Sequence, residues 1–412
     1  MDKLEGQKRH LDFSQTSGWS QALYIIKTLQ NQGYEAVLAG GAVRDALLES
    51  EHLKKADLDI ATSAHPDEVE ALFPKTVAVG KAFGVIRVLH EGHSFEVATF
   101  RKDGLYVDGR RPEKVDYSSL LEDAQRRDFT INALFYDPIN HLLFDGVRGE
   151  IDLKNKILRA VGEPLQRMQE DQLRRLRCVR FASQLGFAIE KDTLSALSVD
   201  VEKLSSVSSE RITQELEKMW LGPHLSMAAQ VFYDSGMAAQ IHSDWKKVPW
   251  PSPEHFTIER SSSLEAWLHY FLTLGQFQNL EKNLNRLRLS REMQIQIQAA
   301  AKAFFAARDF LKLRLGEQRK QLAKPGFKWV LDLSLKDNSD YQELIKKISK
   351  LGDLPVPLLT GEDVIRLTGV SGIKIGLILQ EVYLLQLESG WNDKAEAEKA
   401  VQILMKTGFS KK

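Results

Sequence analysis

The sequence predicts an α+β chain, with a short mixed sheet near the N-terminus and an all-helical remainder, on three observations. Residues 36–62, AVLAGGAVRDALLESEHLKKADLDIAT, read as strand, glycine pair, helix and second strand. Residues 76–79, 85–89 and 95–100 are three more β-rich stretches, set around Gly80, Gly84 and Gly92. From Leu216 onward the apolar spacing is mostly helical, punctuated at Pro251, Pro253, Pro325, Pro355 and Pro357.

Taken in order, residues 1–18 are a polar lead expected to be flexible. Residues 19–29 set Ala22, Leu23, Ile26 and Leu29 at helical spacing, and Asn31-Gln32-Gly33 closes that helix. The apolar run 36–39 is a buried strand ending at Gly40-Gly41, where side-chain-free residues let the backbone turn tightly and approach a bulky anion. Residues 42–48 are helical and carry Arg44 and Asp45. Strand, glycine pair and helix N-terminus together make an anion site, because unpaired N–H groups and the helix dipole both favour phosphate. Arg44 adds a fork of donors beside it.

Residues 56–60 then form a second strand, on which Asp57 and Asp59 point to one face. Two carboxylates so placed are a clamp for a hard cation such as Mg2+. His65-Pro66-Asp67 opens a helix over 68–72. In SFEVATFR, Glu96 either completes the metal clamp from a neighbouring strand or faces solvent. Residues 101–118, polar and rich in Gly, Arg and Asp, are a long loop. The string RRDFTINAL at 126–134 puts two arginines and an acid ahead of an apolar helix.

Residues 170–181, EDQLRRLRCVRF, carry a second kind of chemistry. On one helix Asp171 and Arg174 share a face, and Arg177 and Arg180 continue the stripe. Such a stripe is either an ion-paired solvated face or a reader of bases. Cytosine and the Watson–Crick edge of adenine both present an amino donor beside a ring-nitrogen acceptor. A carboxylate accepts from the first and a guanidinium donates to the second. Uracil and guanine present the opposite order and would leave a buried charge unpaired. Farther on, Ser209 is placed to cap the helix that follows it.

Composition limits the possibilities. A chain of 412 residues is long enough for two to four domains, and 43% hydrophobic with 27% charged residues places it among globular proteins. No apolar run reaches membrane-spanning length, and MDKLEGQKRH lacks an apolar signal core. The single cysteine, Cys178, excludes an internal disulfide and a zinc-type cluster and fits a reducing cytoplasm. The net charge of zero hides an asymmetry: residues 1–150 hold 24 acids against 18 bases, whereas residues 282–328 hold 12 bases against three acids. Beside a nucleotide site, that basic stretch reads as a surface for RNA phosphates.

The joint order of GGAVRD and DLD resembles the first motif of the polymerase-beta nucleotidyltransferase superfamily, and more narrowly of the bacterial class II tRNA nucleotidyltransferase and poly(A) polymerase family. The same resemblance extends to VGKAFGVIRV, YVDGRRP, RRDFTINAL, EDQLRRLRCVRF and SSERITQELEKM. It is weaker in LLTGEDVIRLTGVSGIKIGLILQEVYLLQLESG, where Gly372-Ile373 stands in place of a Gly-Pro pair.

The resemblance implies a catalytic head over 19–160, a neck over 161–225 reading the incoming base, a basic body over 226–350 and a tail over 351–412. It implies addition of C, C and A to a tRNA 3′ end from CTP and ATP, with Asp57 and Asp59 holding Mg2+. Gly40, Gly41, Arg44 and Arg127 would hold the triphosphate, Asp128 and Asn132 would support the pocket, and Asp171 and Arg174 would read the base beside Arg177 and Arg180. Rival readings are a poly(A) polymerase using ATP alone, a CC-only or A-only enzyme, and a non-catalytic RNA-binding protein. The last is disfavoured because both aspartates are present. No membrane is expected, and the sequence leaves the oligomeric state open.

Overall fold

The structure is a computed structural model; it describes residues 4–103, 115–241, 260, 262–273, 280–305, 307–335 and 339–407. The chain divides into two compact units, Met1–Glu259 and Arg260–Lys412.

The first unit is built on an eight-stranded mixed sheet. In chain order its elements are β1 (Gln7–Lys8), α1 (Trp19–Asn31), β2 (Ala36–Ala39), α2 (Gly41–Leu47), β3 (Ile60–Thr62), α3 (Pro66–Leu72), β4 (Thr76–Gly80), β5 (Val85–His90) and β6 (His93–Thr99). There follow β7 (Arg101–Asp103), β8 (Val115–Tyr117), α4 (Leu120–Gln125), β9 (Leu134–Asp137) and β10 (Leu142–Asp145). The spatial order is β1-β10-β9-β2-β3-β6-β5-β4, with β3 and β6 parallel and the other pairs antiparallel. Beyond the sheet come the helices α5 (Gly149–Lys154), α6 (Pro164–Glu170), α7 (Leu173–Leu185), α8 (Lys191–Ser198), α9 (Ser209–Trp220) and α10 (Leu225–Asp234).

Alternation explains how the sheet is covered. Leu38, Ile60, Val97 and Ile86 occupy one register row and are buried, on the side where α1 and α3 pack. Val37, Ala39, Ala61 and Phe135 point the other way and form a core with Leu120 and Ala124 of α4.

Four expectations are corrected. The polar lead is tied down: Gln7 and Lys8 pair with Leu143 and Leu142, and buried Phe13 stacks on Trp19 and Tyr136. The strand expected over 56–60 begins only at Ile60, because residues 51–55 form a 3₁₀ turn and the chain extends just before the ladder; Asp57 and Asp59 sit on that extended approach. The apolar helix expected after Asp128 is a three-residue 3₁₀ turn, Thr130–Asn132, running into central strand β9, whose alternating burial demand overrides helix propensity. Ser208, not Ser209, occupies the N-cap of α9, without a side-chain cap bond. The 101–118 loop is a ladder at its base, where Arg101 pairs with Tyr117; the YVDGRRP string lies mostly outside the described residues.

The second unit is helical throughout its described residues. One of its cores gathers Phe310, Phe327, Leu331 and Tyr341, and another gathers Val364, Ile378, Val382, Ala397 and Val401. Gly372, at φ 68°, is the N-cap of the 17-residue helix Ile373–Ser389. A positive φ is the turn geometry that glycine supplies without strain.

Candidate active site

Gly40 closes β2 at φ 72°, and a Cβ there would meet the Arg127 guanidinium at 3.2 Å. Both facts demand glycine. At Gly41 the contact would be only Arg44 Nη2 at 3.8 Å, so its missing side chain leaves space in front of α2. That space belongs to a cleft of about 570 Å³ lined by Gly40, Gly41, Asp57, Asp59, Asn132, Asp171 and Phe181 together with seven arginines.

The arginines are Arg44, Arg126, Arg127, Arg174, Arg177, Arg180 and Arg211, and each has a carboxylate partner within the first unit. Arg44 bonds Asp45 through Nε at 2.8 Å and Asn132 Oδ1 through Nη1 at 2.7 Å. Asn132 Nδ2 donates to Asp128 at 3.3 Å, and Asp128 receives Arg177 Nε at 2.7 Å. A hydrogen-bonded chain thus runs from α2 through the 3₁₀ turn to α7. Burial opposes the charge on Asp128, yet Arg177 above all holds its carboxyl at about 2. Phe181 gives the bed an aromatic floor: the Arg180, Arg44 and Arg177 guanidiniums lie 3.8, 5.4 and 5.5 Å from its ring centre.

Asp171 and Arg174 both line the cleft, but not as one helical face. Asp171 has extended backbone after α6, and α7 starts at Leu173. The carboxylate accepts from Leu173 N at 3.0 Å and from Arg211 Nη2 at 3.0 Å. Arg174 is held by Glu170 at 2.6 Å and by the Arg167 and Arg126 carbonyls at 3.0 and 3.1 Å. The sequence expectation of a direct i,i+3 pair is therefore corrected: donor and acceptor sit side by side, each anchored by a different partner. Arg211, Glu170, Glu215 and Asp123 were not singled out from sequence as site residues. Asp123 is buried and receives both Arg126 and Arg127; its i,i+4 spacing to Arg127 was the available signal.

The carboxylates form a separate corner. Asp59 lies where its chain meets the sheet, with its carbonyl accepting from Ala39 N at 3.0 Å. Withdrawal from bulk water at the cleft floor, then the charge of Glu96, raises its carboxyl to about 6 against the pull of Arg127, and Asp57 adds to the rise. Crowded carboxylates of this kind gain most from a bound cation, so the donor set suits a hard divalent ion. Glu96 does not line the cleft; it is bonded to Arg87 at 3.0 Å. Among the described residues, no three metal-ligating side chains converge. Two aspartates with substrate phosphates to complete the shell fit the way Mg2+ is usually held.

Residues 36–159 match the poly A polymerase head domain, and residues 186–247 match a probable RNA and SrmB-binding site of polymerase A. The CCA-adding enzyme of Geobacillus thermodenitrificans is 45% identical over 233 residues, 56% of this chain and 57% of that protein. That of Anoxybacillus flavithermus is 42% identical over 254 residues, 61% of this chain and 62% of that protein. The alignments thus span less than two thirds of the length of these relatives. Among solved structures, the Bacillus stearothermophilus CCA-adding enzyme in complex with CTP superposes with a TM-score of 0.75 at 28% identity, covering 95% of this chain and 98% of that one. The Thermotoga maritima CCA-adding enzyme complexed with tRNA shares the fold, with a TM-score of 0.67 at 21% identity over 94% of this chain and 95% of that one.

Proposed function

Residues 36–159 belong to the poly A polymerase head-domain family and the chain is homologous to CCA-adding enzymes; from that premise we propose that it is a template-independent tRNA nucleotidyltransferase. It adds C, C and A to the tRNA 3′ end from CTP and ATP. The terminal ribose 3′-hydroxyl attacks the α-phosphorus, a new phosphodiester forms, the bond to the β-phosphate oxygen breaks and pyrophosphate leaves. The observation that carries this reading is one cleft joining a carboxylate corner, a bed of paired arginines and the Asp171–Arg174 edge.

Asp57 and Asp59 would hold Mg2+, which supplies activation of the 3′-hydroxyl and neutralisation of charge on the phosphates. Arg44 and Arg127, with the open backbone at Gly40 and Gly41, hold the triphosphate; Asp128 and Asn132 fix Arg44 and Arg177; Arg177 and Arg180 close the bed on Phe181. Asp171 accepts from the exocyclic amino group and Arg174 donates to the ring nitrogen, an edge that C and A share. No single helix among the described residues is long and apolar enough to cross a membrane. Buried Cys178 suits a reducing compartment such as the cytoplasm.

The deciding experiment incubates the protein with tRNA lacking its last three nucleotides and each labelled triphosphate, then sequences the 3′ ends. Ends restored to CCA support the proposal. Homopolymeric A tails would replace it with poly(A) addition, partial CC or A products would narrow it, and unextended ends would leave only RNA binding.

Two further results are expected. Arg286, Arg288 and Arg291 are exposed on the second unit, and reversing their charge is expected to weaken RNA binding and flatten its salt dependence, since fewer counterions are released. Filter binding over a salt series checks this, and an unchanged slope would assign that surface elsewhere. Because the Asp59 carboxyl stands near 6 instead of its ordinary 3.8, it takes up a proton as pH falls through 6. Transfer is expected to fall over that range and to recover with added Mg2+, which competes with the proton. Free of metal, the folded chain binds this proton more readily than the unfolded chain, so its stability gains from this group as pH drops from above 6 towards 4. A transfer rate flat from pH 7 to 5 at limiting Mg2+ would refute the assignment.

A further inference from the structure

Arg87 and Glu96 face each other across the β5–β6 ladder, with Nη2 and Oε1 3.0 Å apart. On the other flank of β6, Ile60 of β3 is level with Val97, which sets Asp59 level with Glu96. Neighbouring strands lie about 4.8 Å apart, so guanidinium, carboxylate and carboxylate form one row. One step along, Ile86, Val97 and Ile60 are buried on the opposite face, which fixes the charged row towards solvent. Asp59 lines the cleft, whereas Glu96 and Arg87 do not. Glu96 is thus the carboxylate next in line to the aspartate corner, and its charge is already engaged from the side away from the cleft.

We propose that Arg87 is a positioning residue that holds Glu96 out of the cation site, so that the site offers two carboxylates, not three. The inference rests on the reading of Asp57 and Asp59 as cation ligands. Its chemical sense follows from the reaction: an ion held by two carboxylates keeps positions for triphosphate oxygens and water, whereas a third carboxylate would fill one and bind the free ion more tightly. The Arg87–Glu96 pair is solvent-exposed, with side chains 39% and 55% accessible, so it is weak enough for one substitution to release Glu96.

The test is a double-mutant cycle read by Mn2+ binding to the full chain without nucleotide, followed by electron paramagnetic resonance at about 0.15 M salt, where the field of an exposed charge is largely screened. Asp59→Asn comes first: loss of the bound-Mn2+ signal supports the aspartate corner, and parental binding would overturn that reading and the inference with it. Arg87→Ala is then expected to tighten Mn2+ by about tenfold, but by only about twofold in a Glu96→Gln background, because the gain needs the freed carboxylate. Arg87→Lys keeps a partner for Glu96 and is expected to stay near the parent. Equal gains in the two backgrounds would show a field effect of Arg87 alone and overturn the proposal. No gain with Asp59→Asn still deficient would overturn it while leaving the aspartate corner standing. Transfer assays supply the second readout: Arg87→Ala should saturate at lower Mg2+ with a reduced kcat, as the tightly held ion leaves fewer positions for the triphosphate.

Discussion

Asp59→Ala is expected to reduce nucleotide transfer by about a thousandfold or more, the equivalent of the several kcal/mol of charge stabilisation that a catalytic ion supplies. Asp57→Ala is expected to do the same. Neither should unfold the protein. Asp59 lies in an approach segment whose attachment to the sheet is a backbone bond to Ala39, and removing one of several crowded carboxylates relieves repulsion. Single-turnover transfer, circular dichroism and tRNA binding measured on the same preparations separate chemistry from folding. Turnover near the parent in either variant would sink the metal assignment.

Base choice is the second large effect. Arg174→Ala is expected to lower discrimination for C and A over U and G by about tenfold or more, since each mispaired donor or acceptor costs about 1–3 kcal/mol. Exchanging the pair outright, as Asp171→Arg with Arg174→Asp, is the sharper test of donor and acceptor order. If the order governs choice, UTP or GTP gains relative to CTP and ATP. The structure adds a condition: the exchange sets an arginine beside Arg211 and a carboxylate beside Glu170, so overall activity should fall steeply. Adding Arg211→Glu and Glu170→Arg should restore part of it. Competition among four triphosphates on one tRNA reads the outcome, and unchanged preference in every variant would leave the pair a structural one.

Much of this was legible because local signals and global demands agree. Gly40-Gly41 needs a positive φ and an open approach, and only glycine provides both. The β-rich stretches between Thr76 and Thr99 became a meander in the order in which they occur. Legibility failed where a residue's partner is remote in sequence. Asp171 pairs with Arg211, 40 positions away, and Arg180 with Glu215, 35 away; spacing along one helix cannot reveal either. It failed as well at Thr130–Asn132, where a string with helical apolar spacing is pulled straight by its place in the sheet, and at the lead, whose few apolar residues find a groove that composition does not disclose.

The pairing of every cleft arginine with an acid has an evolutionary consequence. A lone change of arginine strands a carboxylate, and a lone change of acid strands a guanidinium, so single steps through sequence space cross a fitness valley. Paths that alter which triphosphates the cleft accepts should therefore proceed by coupled replacements, Arg180 with Glu215 or Arg211 with Asp171, and lineages that diverged in substrate should carry such pairs as joint changes. A library randomised one position at a time would miss these routes. One built on linked codons would sample them.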